Sequence, residues 1–256
     1  MEKTEMLAQL LKRANSGEDK DKLKEEAKDF LSKIGPIELS MAEQKLIEEG
    51  TKPEELRVLC SAHMEMLDGE IKKFRKSLPK GHVVHTFVSE HDYILKFLDE
   101  LDSLNEKFQK MESLKDGKKE LKELLHVAEH LVGAEPHHKR EEEVLFPAME
   151  REGITGPPRV MRMEHEDLRA HKKELLELAK NAGRLGFKTF KGRLDSTAKF
   201  ISFSLREHIF KENNILYPAA VKAIKGKEEW NAMKEECDSI GYCCFTPKGK
   251  AKEGKA

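Results

Sequence analysis

Apolar residues recur at intervals of three and four positions along almost the whole of this 256-residue chain. Short breaks separate the periodic segments, and the alternation of apolar and polar residues that marks a half-buried strand does not persist anywhere in the sequence. The pattern therefore predicts an all-α protein. Its helices are expected near 2–14, 18–34, 39–49, 52–77, 82–111, 118–133, 137–151, 158–181, 188–223 and 228–238.

An internal repeat predicts how these helices pack. The segments SEHDYILKFLDEL and HHKREEEVLFPAME are echoed later by MEHEDLRAHKKEL and REHIFKENNILYPAAV. In each half, a helix with a Glu-His pair is followed by a helix in which His-x-x-x-Glu precedes Leu-aromatic-Pro. Two similar helical hairpins predict an antiparallel four-helix bundle with approximate two-fold symmetry.

Breaks in the periodic pattern predict the domain boundaries. Pro79 and Gly81 separate an N-terminal region from the repeat, and the final residues TPKGKAKEGKA are rich in lysine and lack an apolar anchor. We expect a smaller helical domain over 1–80 and the bundle over 81–225. A C-terminal helix with a Cys-rich segment and a Lys-rich tail is expected over 226–256.

Histidines and carboxylates on the inner helix faces predict a metal site. A His and a Glu four residues apart share one face of a helix, and the two Glu-His helices each carry a histidine on an apolar stripe. The predicted site consists of His91, His138, Glu142, His165, His208 and Glu212. Burying these groups costs several kcal/mol unless they are coordinated. Mixed nitrogen and oxygen ligation in a bundle core suits a carboxylate-bridged pair of iron or manganese ions, and we expect iron.

Other histidines offer alternatives that the sequence leaves open. His137 and Glu141 form the same motif shifted by one residue, but they would point about 100° away from the apolar neighbours. His126 and His130 continue the predicted face and would line an access path or a second weak site, or remain surface histidines. His171 lies off the ligand face. A solvated His-Glu pair is the ordinary meaning of one such motif alone.

A family resemblance makes the expectation more specific. With the motifs HHKREEEVLFP and HIFKENNILYP, the segment from His82 to Ala223 resembles a hemerythrin-like (HHE cation-binding) domain. Within that superfamily it is most similar to the di-iron repair-of-iron-centres proteins, and the region from Glu18 to Lys80 resembles a helical domain of unknown function. The resemblance implies two iron ions (Fe2+/Fe3+) held by the six residues named above. Glu142 and Glu212 would bridge the ions together with an oxo or hydroxo group.

Departures from the oxygen-carrying hemerythrins bear on function. Arg169 stands where those proteins place a second histidine on the third helix, and Asn213 stands where they place an aspartate. Fewer ligands imply more open positions, which suit binding of, or reaction with, O2, nitric oxide or peroxide. The expected role is that of a non-haem di-iron protein in oxidative or nitrosative stress or in iron-centre repair, and the sequence leaves open whether it is an oxidoreductase that reduces nitric oxide or peroxide. Alternatives are a gas or iron sensor without turnover and a metal-free helical scaffold.

The four cysteines have different expected roles. Cys243 and Cys244 are adjacent near the tail, and they are candidate redox thiols. Cys60 and His63 form a weak Cys-x-x-His motif, for which a buried cysteine is the simpler interpretation. So few cysteines in a chain of this length indicate a reducing cytoplasm, and the charged first twenty residues lack a signal-peptide core.

Charge and composition restrict the partners. The chain carries 47 Lys and Arg against 48 Asp and Glu, a formal net charge of -1. Because electrostatic binding to nucleic acid or an acidic membrane needs a positive excess, neither partner is expected. The expected ligand is O2 or nitric oxide. An electron donor or a regulatory partner would bind through the N-terminal domain.

Overall fold

The computed structural model describes Met6, Arg13 and residues 73–247, and every structural statement below concerns these residues. They form helices joined by short turns. In chain order the elements are α1 (Val83–Lys110), α2 (Lys118–Val132), α3 (Glu135–Arg140), a π-helical turn (Glu141–Leu145), α4 (Phe146–Arg151), α5 (Gly156–Asn181), a 3-10 turn (Ala182–Arg184), α6 (Phe187–Lys211), a second π-helical turn (Glu212–Leu216), α7 (Tyr217–Ala223) and α8 (Lys227–Ile240).

The predicted all-α fold is confirmed. No strand occurs within residues 73–247, and the helices of the repeat begin and end close to their predicted positions. The predicted helices before residue 73 lie outside the described residues. None of the described helices is long and apolar enough to cross a membrane.

Four helical rods make up the bundle, and short connections make successive rods antiparallel. α1 is the first rod, and α2, α3, the first π turn and α4 together form the second. α5 is the third, and α6, the second π turn and α7 form the fourth. α1 packs against α2, and α2 packs against α5.

Local signals at the helix ends set the positions of the rods. Gly81 has a φ of 90°, which a residue with a side chain rarely adopts. His82 then caps α1, because its Nδ1 accepts a hydrogen bond from the Val84 N–H at 3.2 Å. Gly241, with a φ of 95°, ends α8 and turns the following segment.

Both π turns end at the leucine of a Leu-aromatic-Pro sequence. Pro147 and Pro218 each lie in the first turn of the helix after a π turn. Proline has no N–H to donate to the carbonyl four residues earlier, and its ring crowds that carbonyl. A wider turn ahead of the proline relieves this conflict, so the repeated motif accounts for the widening in both halves.

A core of aliphatic and aromatic side chains fills the bundle. Phe108 of α1 and Phe190 of α6 are fully buried and meet edge to face, with ring centroids 5.3 Å apart. α8 packs against α1, α3 and the first π turn. The buried Cys243, just after α8, belongs to the same apolar core. The C-terminal segment is thus packed on the bundle as far as the structure describes it.

Candidate metal centre

Two pairs of buried histidines face each other inside the bundle. Nε2 of His91 lies 3.2 Å from Nε2 of His137, and Nε2 of His165 lies 2.9 Å from Nε2 of His208. The four side chains come from four different rods. Two nitrogens bound at right angles to one ion, with bonds of about 2.1 Å, are about 3 Å apart. Each pair therefore has the spacing of two ligands of one ion.

Two buried glutamates lie between these pairs. Oε2 of Glu141 is 3.5 Å from Nε2 of His137 and 3.5 Å from Nε2 of His165. A carboxylate oxygen of Glu212 lies within 4.8 Å of ligand atoms of both pairs. Each carboxylate is thus within reach of both pairs, which is the arrangement of bridging ligands in a two-metal site.

Hydrogen bonds at the outer nitrogens set the protonation of the imidazoles. Nδ1 of His137, His165 and His208 lies 2.7 Å from a carboxylate oxygen of Glu90, Glu142 and Glu164, respectively. Because a carboxylate accepts, each Nδ1 carries a hydrogen, and the lone pair of the neutral ring lies on Nε2.

The orientation of the imidazole lone pairs indicates whether a cation fits the site. In the pair His165 and His208, two Nε2 lone pairs face each other at 2.9 Å. They repel unless a cation, either a metal ion or a proton, lies between them. Carboxylate–histidine contacts of this kind are typical of metal-ligating histidines, so the donor set fits a metal ion.

Arg169 fixes the outer carboxylate of the second pair. Its Nη1 and Nη2 each donate to Glu142 at 2.9 Å, and its Nε donates to Glu135 at 2.9 and 3.0 Å. Partial burial raises the pKa of Glu142, but hydrogen bonds from His165 and Arg169 outweigh burial and lower this pKa to about 2. Glu142 is thus a fixed negative partner of His165.

Arg140 binds Glu90, the outer carboxylate of the first pair, as Arg169 binds Glu142 in the second. Its Nη2 donates to both oxygens of the fully buried Glu90 at 2.8 Å, and its guanidinium lies over the rings of Phe87 and Tyr242. Burial raises the pKa of Glu90, yet hydrogen bonding and charge from His137 and the charge of Arg140 lower it to about 2. This carboxylate therefore remains ionised beside His137.

His138 lies beside the second pair, with its ring parallel to that of His165. Its ring stacks on that of His165, with centroids 4.0 Å apart and planes inclined by 7°. His138 is close enough to His165 and His208 to join them around an ion. However, the in-plane lone pairs of two parallel rings do not converge on one point. The buried Nδ1 of His138 has no hydrogen-bond partner, and burial followed by the charge of Lys172 lowers the pKa of this residue well below its usual value.

The structure brings five of the six sequence-predicted residues into clusters that could hold a metal ion, namely His91, His138, His165, His208 and Glu212. His138 stacks on His165 within one of these clusters, whereas Glu142 belongs to none of them and binds the outer nitrogen of His165. His137 and Glu141, the alternative register, also belong to these clusters. Ligation by either set stays a prediction, but the geometry favours the alternative.

The repeat held a signal that the sequence interpretation missed. In each Glu-His pair the histidine points inward, and the preceding glutamate binds a histidine of the next rod. Glu90 contacts His137 in the first half, and Glu164 contacts His208 in the second. The repeat marks both glutamates as outer partners, but only the structure shows that Glu90 reaches His137 rather than His138.

The remaining candidates lie outside this centre. The exposed His126 and the half-buried His130 pack ring to ring at 4.1 Å, and His171 stacks on Phe200. Cys243 is buried and Cys244 is exposed. Burial raises the pKa of the Cys243 thiol to about 12. Cys60 and His63 lie outside the described residues.

Comparison with known families agrees with this architecture. Residues 82–220, more than half of the chain, match the hemerythrin HHE cation-binding domain. Residues 7–73 match a family of unknown function, DUF438. No curated protein matches the chain. The predicted resemblance to the HHE domain is confirmed, whereas the closer resemblance to the repair-of-iron-centres proteins stays a prediction. With a helical bundle, buried His and Glu groups able to hold a metal, and this match, the chain belongs to the hemerythrin HHE cation-binding domain family.

Proposed function

We propose that the bundle binds two iron ions. His91 and His137 would hold one ion, and His165 and His208 would hold the other. Glu141 and Glu212 would bridge them. The observation that carries this proposal is the approach of two imidazole nitrogens to 2.9 Å, each with its hydrogen on the far side of the ring. When bound, iron supplies a reversible Fe2+/Fe3+ couple and coordination positions for a small ligand.

Iron is the proposed metal because of the donor set. Four imidazoles and two carboxylates combine nitrogen and oxygen donors, which suits iron, manganese and zinc. Carboxylate-bridged pairs in helical bundles are typically of iron or manganese. No thiol belongs to the clusters that the described residues form, so nothing there favours a softer ion.

The proposed activity is binding of, or reaction with, O2, nitric oxide or peroxide in the cytoplasm. With only two histidine ligands, each iron ion would keep open coordination positions. Arg169 stands where oxygen-carrying relatives place a further histidine, and here it holds Glu142 instead. The chain's own contribution is to fix the imidazoles through outer carboxylates and to exclude bulk water, since all six proposed ligands are buried.

A second candidate is a sensor without turnover. The match of residues 7–73 to a family of unknown function favours a two-part protein, in which the bundle holds the ligand and another domain transmits its state. We propose the boundaries 1–80, 81–225 and 226–256 for this organisation. In either case the N-terminal part is the proposed site for an electron donor or a regulatory partner.

The decisive experiment is anaerobic purification followed by metal analysis. We expect about two irons per chain and an absorption spectrum that changes on exposure to O2 and to nitric oxide. His137→Ala and His208→Ala should each lose iron, while His171→Ala, a histidine outside the centre, should keep it. Less than about half an iron per chain after reconstitution would overturn the proposal and leave the metal-free scaffold. Turnover of nitric oxide or peroxide by the reduced protein separates an enzyme from a sensor.

A further inference from the structure

The two halves of the bundle differ in one residue next to the centre. An aromatic residue and a proline follow each π turn, and the aromatic residue is Phe146 in the first half and Tyr217 in the second. Both rings stack on a histidine of the centre. Phe146 lies 5.9 Å from the ring of His165, and Tyr217 lies 5.7 Å from the ring of His91. The only chemical difference between these two contacts is the phenolic hydroxyl.

That hydroxyl lies among the proposed ligand atoms. Oη of Tyr217 is 3.4 Å from Nε2 of His137, and it donates a hydrogen bond to Oε1 of Glu141 at 2.6 Å. The side chain is fully buried. Its distance from Nε2 of His137 is similar to the 3.2 Å that separates the nitrogens of His91 and His137. The phenolic oxygen is therefore close enough to a proposed ligand nitrogen to share an ion with it.

We propose that Tyr217 is an oxygen ligand of the ferric ion held by His91 and His137. This inference rests on the proposed di-iron centre. On coordination, the phenolic O–H bond breaks and an iron–oxygen bond forms. No electron is transferred, and the proton is released to solvent, as is general when metals bind protonated ligands. The hydrogen bond to Glu141 is exchanged for the new bond, which leaves both carboxylate oxygens of Glu141 available to the ions.

The proposal makes the two positions of the centre unequal. The position of His91 and His137 gains an anionic oxygen donor, which stabilises the ferric state and fills one coordination position. The position of His165 and His208 has Phe146 in the corresponding place and gains nothing. A diatomic ligand would therefore enter at the position of His165 and His208.

Visible absorption of the iron-loaded, oxidised full-length chain tests this. A phenolate bound to iron(III) gives a charge-transfer band in the visible region, and we expect one in the wild-type protein. Tyr217→Phe should keep about two irons and lose the band. The chain contains three tyrosines, so Tyr93→Phe and Tyr242→Phe are complete controls, and both should keep it.

A second measurement does not depend on the folding of a variant. Resonance Raman scattering excited in the band should show phenolate ring modes that shift when the wild-type chain is made with ring-deuterated tyrosine. Two ferric ions without a phenolate band, or a band that survives in Tyr217→Phe, would overturn the ligand assignment alone. Failure to bind iron would instead overturn the proposed function. The two failures are thus distinguishable.

Discussion

Glu90 holds His137 from outside, with its Oε2 2.7 Å from Nδ1 of that imidazole. The same carboxylate accepts hydrogen bonds from Arg140 and, at 2.5 Å, from the hydroxyl of Thr246. Thr246 lies after α8, and 156 positions separate it from Glu90 in the sequence. The C-terminal segment therefore helps to position a proposed ligand of the metal centre.

Thr246→Val should weaken that support without changing the size of the side chain. Loss of a hydrogen bond to an ionised, buried carboxylate is expected to lower the free energy of unfolding by about 1–3 kcal/mol. Iron should also pass to a chelator faster than from the wild type, because Glu90 and thus His137 are held less firmly. Release kinetics measure this. The control is Thr189→Val, an exposed threonine of α6, for which release should be unchanged. Equal rates in all three proteins would contradict the prediction.

Glu141→Gln and Glu142→Gln separate the ligand indicated by the geometry from the one chosen from the sequence. Glu141 reaches both histidine pairs, so removing its charge should cost at least one of the two irons. Glu142 only orients His165, and its amide can still accept the Nδ1 hydrogen. Glu142→Gln should keep two irons, but its affinity for iron should fall about 10- to 100-fold. Metal analysis and chelator competition give both values, and loss of iron in Glu142→Gln alone would restore the original choice.

His137→Ala and His138→Ala form the matching pair among the histidines. His137 faces His91 at 3.2 Å, whereas His138 stacks in parallel on His165. The first variant should lose iron. The second should retain it while losing stability of about 1 kcal/mol, a typical effect of a buried substitution. Iron content and thermal unfolding distinguish them, and iron loss confined to His138→Ala would refute the geometric assignment.

The sequence predicted the bundle and five of its buried polar residues, namely His91, His138, His165, His208 and Glu212, because a continuous α-helix repeats its faces every 3.6 residues. His208 and Glu212 illustrate this success, since the apolar stripe that leads to them lies within the unbroken α6. In the second rod, the geometry favours His137 and Glu141 over the residues chosen from the sequence, His138 and Glu142. There the stripe was extended from Leu131 across a break after Val132, and from Leu145 back across a π turn. Each irregularity changes the angle between successive residues around the helix axis. Residues that share a face in a regular α-helix therefore point in different directions here.

The contacts that hold the histidines through their Nδ1 atoms could be predicted only in part. A glutamate before an inward histidine is visible in both halves of the repeat, but its partner depends on how the rods are staggered. Arg169 shows the limit most clearly. From the sequence it is a missing ligand, whereas the structure shows it binding Glu135 and Glu142 at once. No periodicity encodes such a contact, because it joins side chains of different rods.

Arg169→Lys should weaken the second histidine pair. Lysine offers a single ammonium and cannot reproduce the planar fork that binds two carboxylates, so Glu142 would be less firmly held against His165. We expect iron affinity to fall about 10-fold with little change in fold. Arg206→Lys is a matched control, because Arg206 pairs with Asp99 and Asp102 and has a side-chain exposure of 23 %, against 22 % for Arg169. A fall of similar size in both variants would show that the effect is not specific to the centre.

Cysteine labelling tests the packing of the segment that carries Thr246. Burial raises the pKa of the Cys237 and Cys243 thiols to about 12, so at pH 8 both remain protonated and unreactive. Cys244 is exposed. In a Cys60→Ser background, iodoacetamide should therefore modify Cys244 in the native protein, and Cys237 and Cys243 only after unfolding in urea, as read by mass spectrometry of peptides. A disulfide between the adjacent Cys243 and Cys244 would first require Cys243 to leave the apolar core. If Cys243 is labelled in the native protein as fast as Cys244, this segment opens readily. That result would support the prediction that the two cysteines are redox thiols.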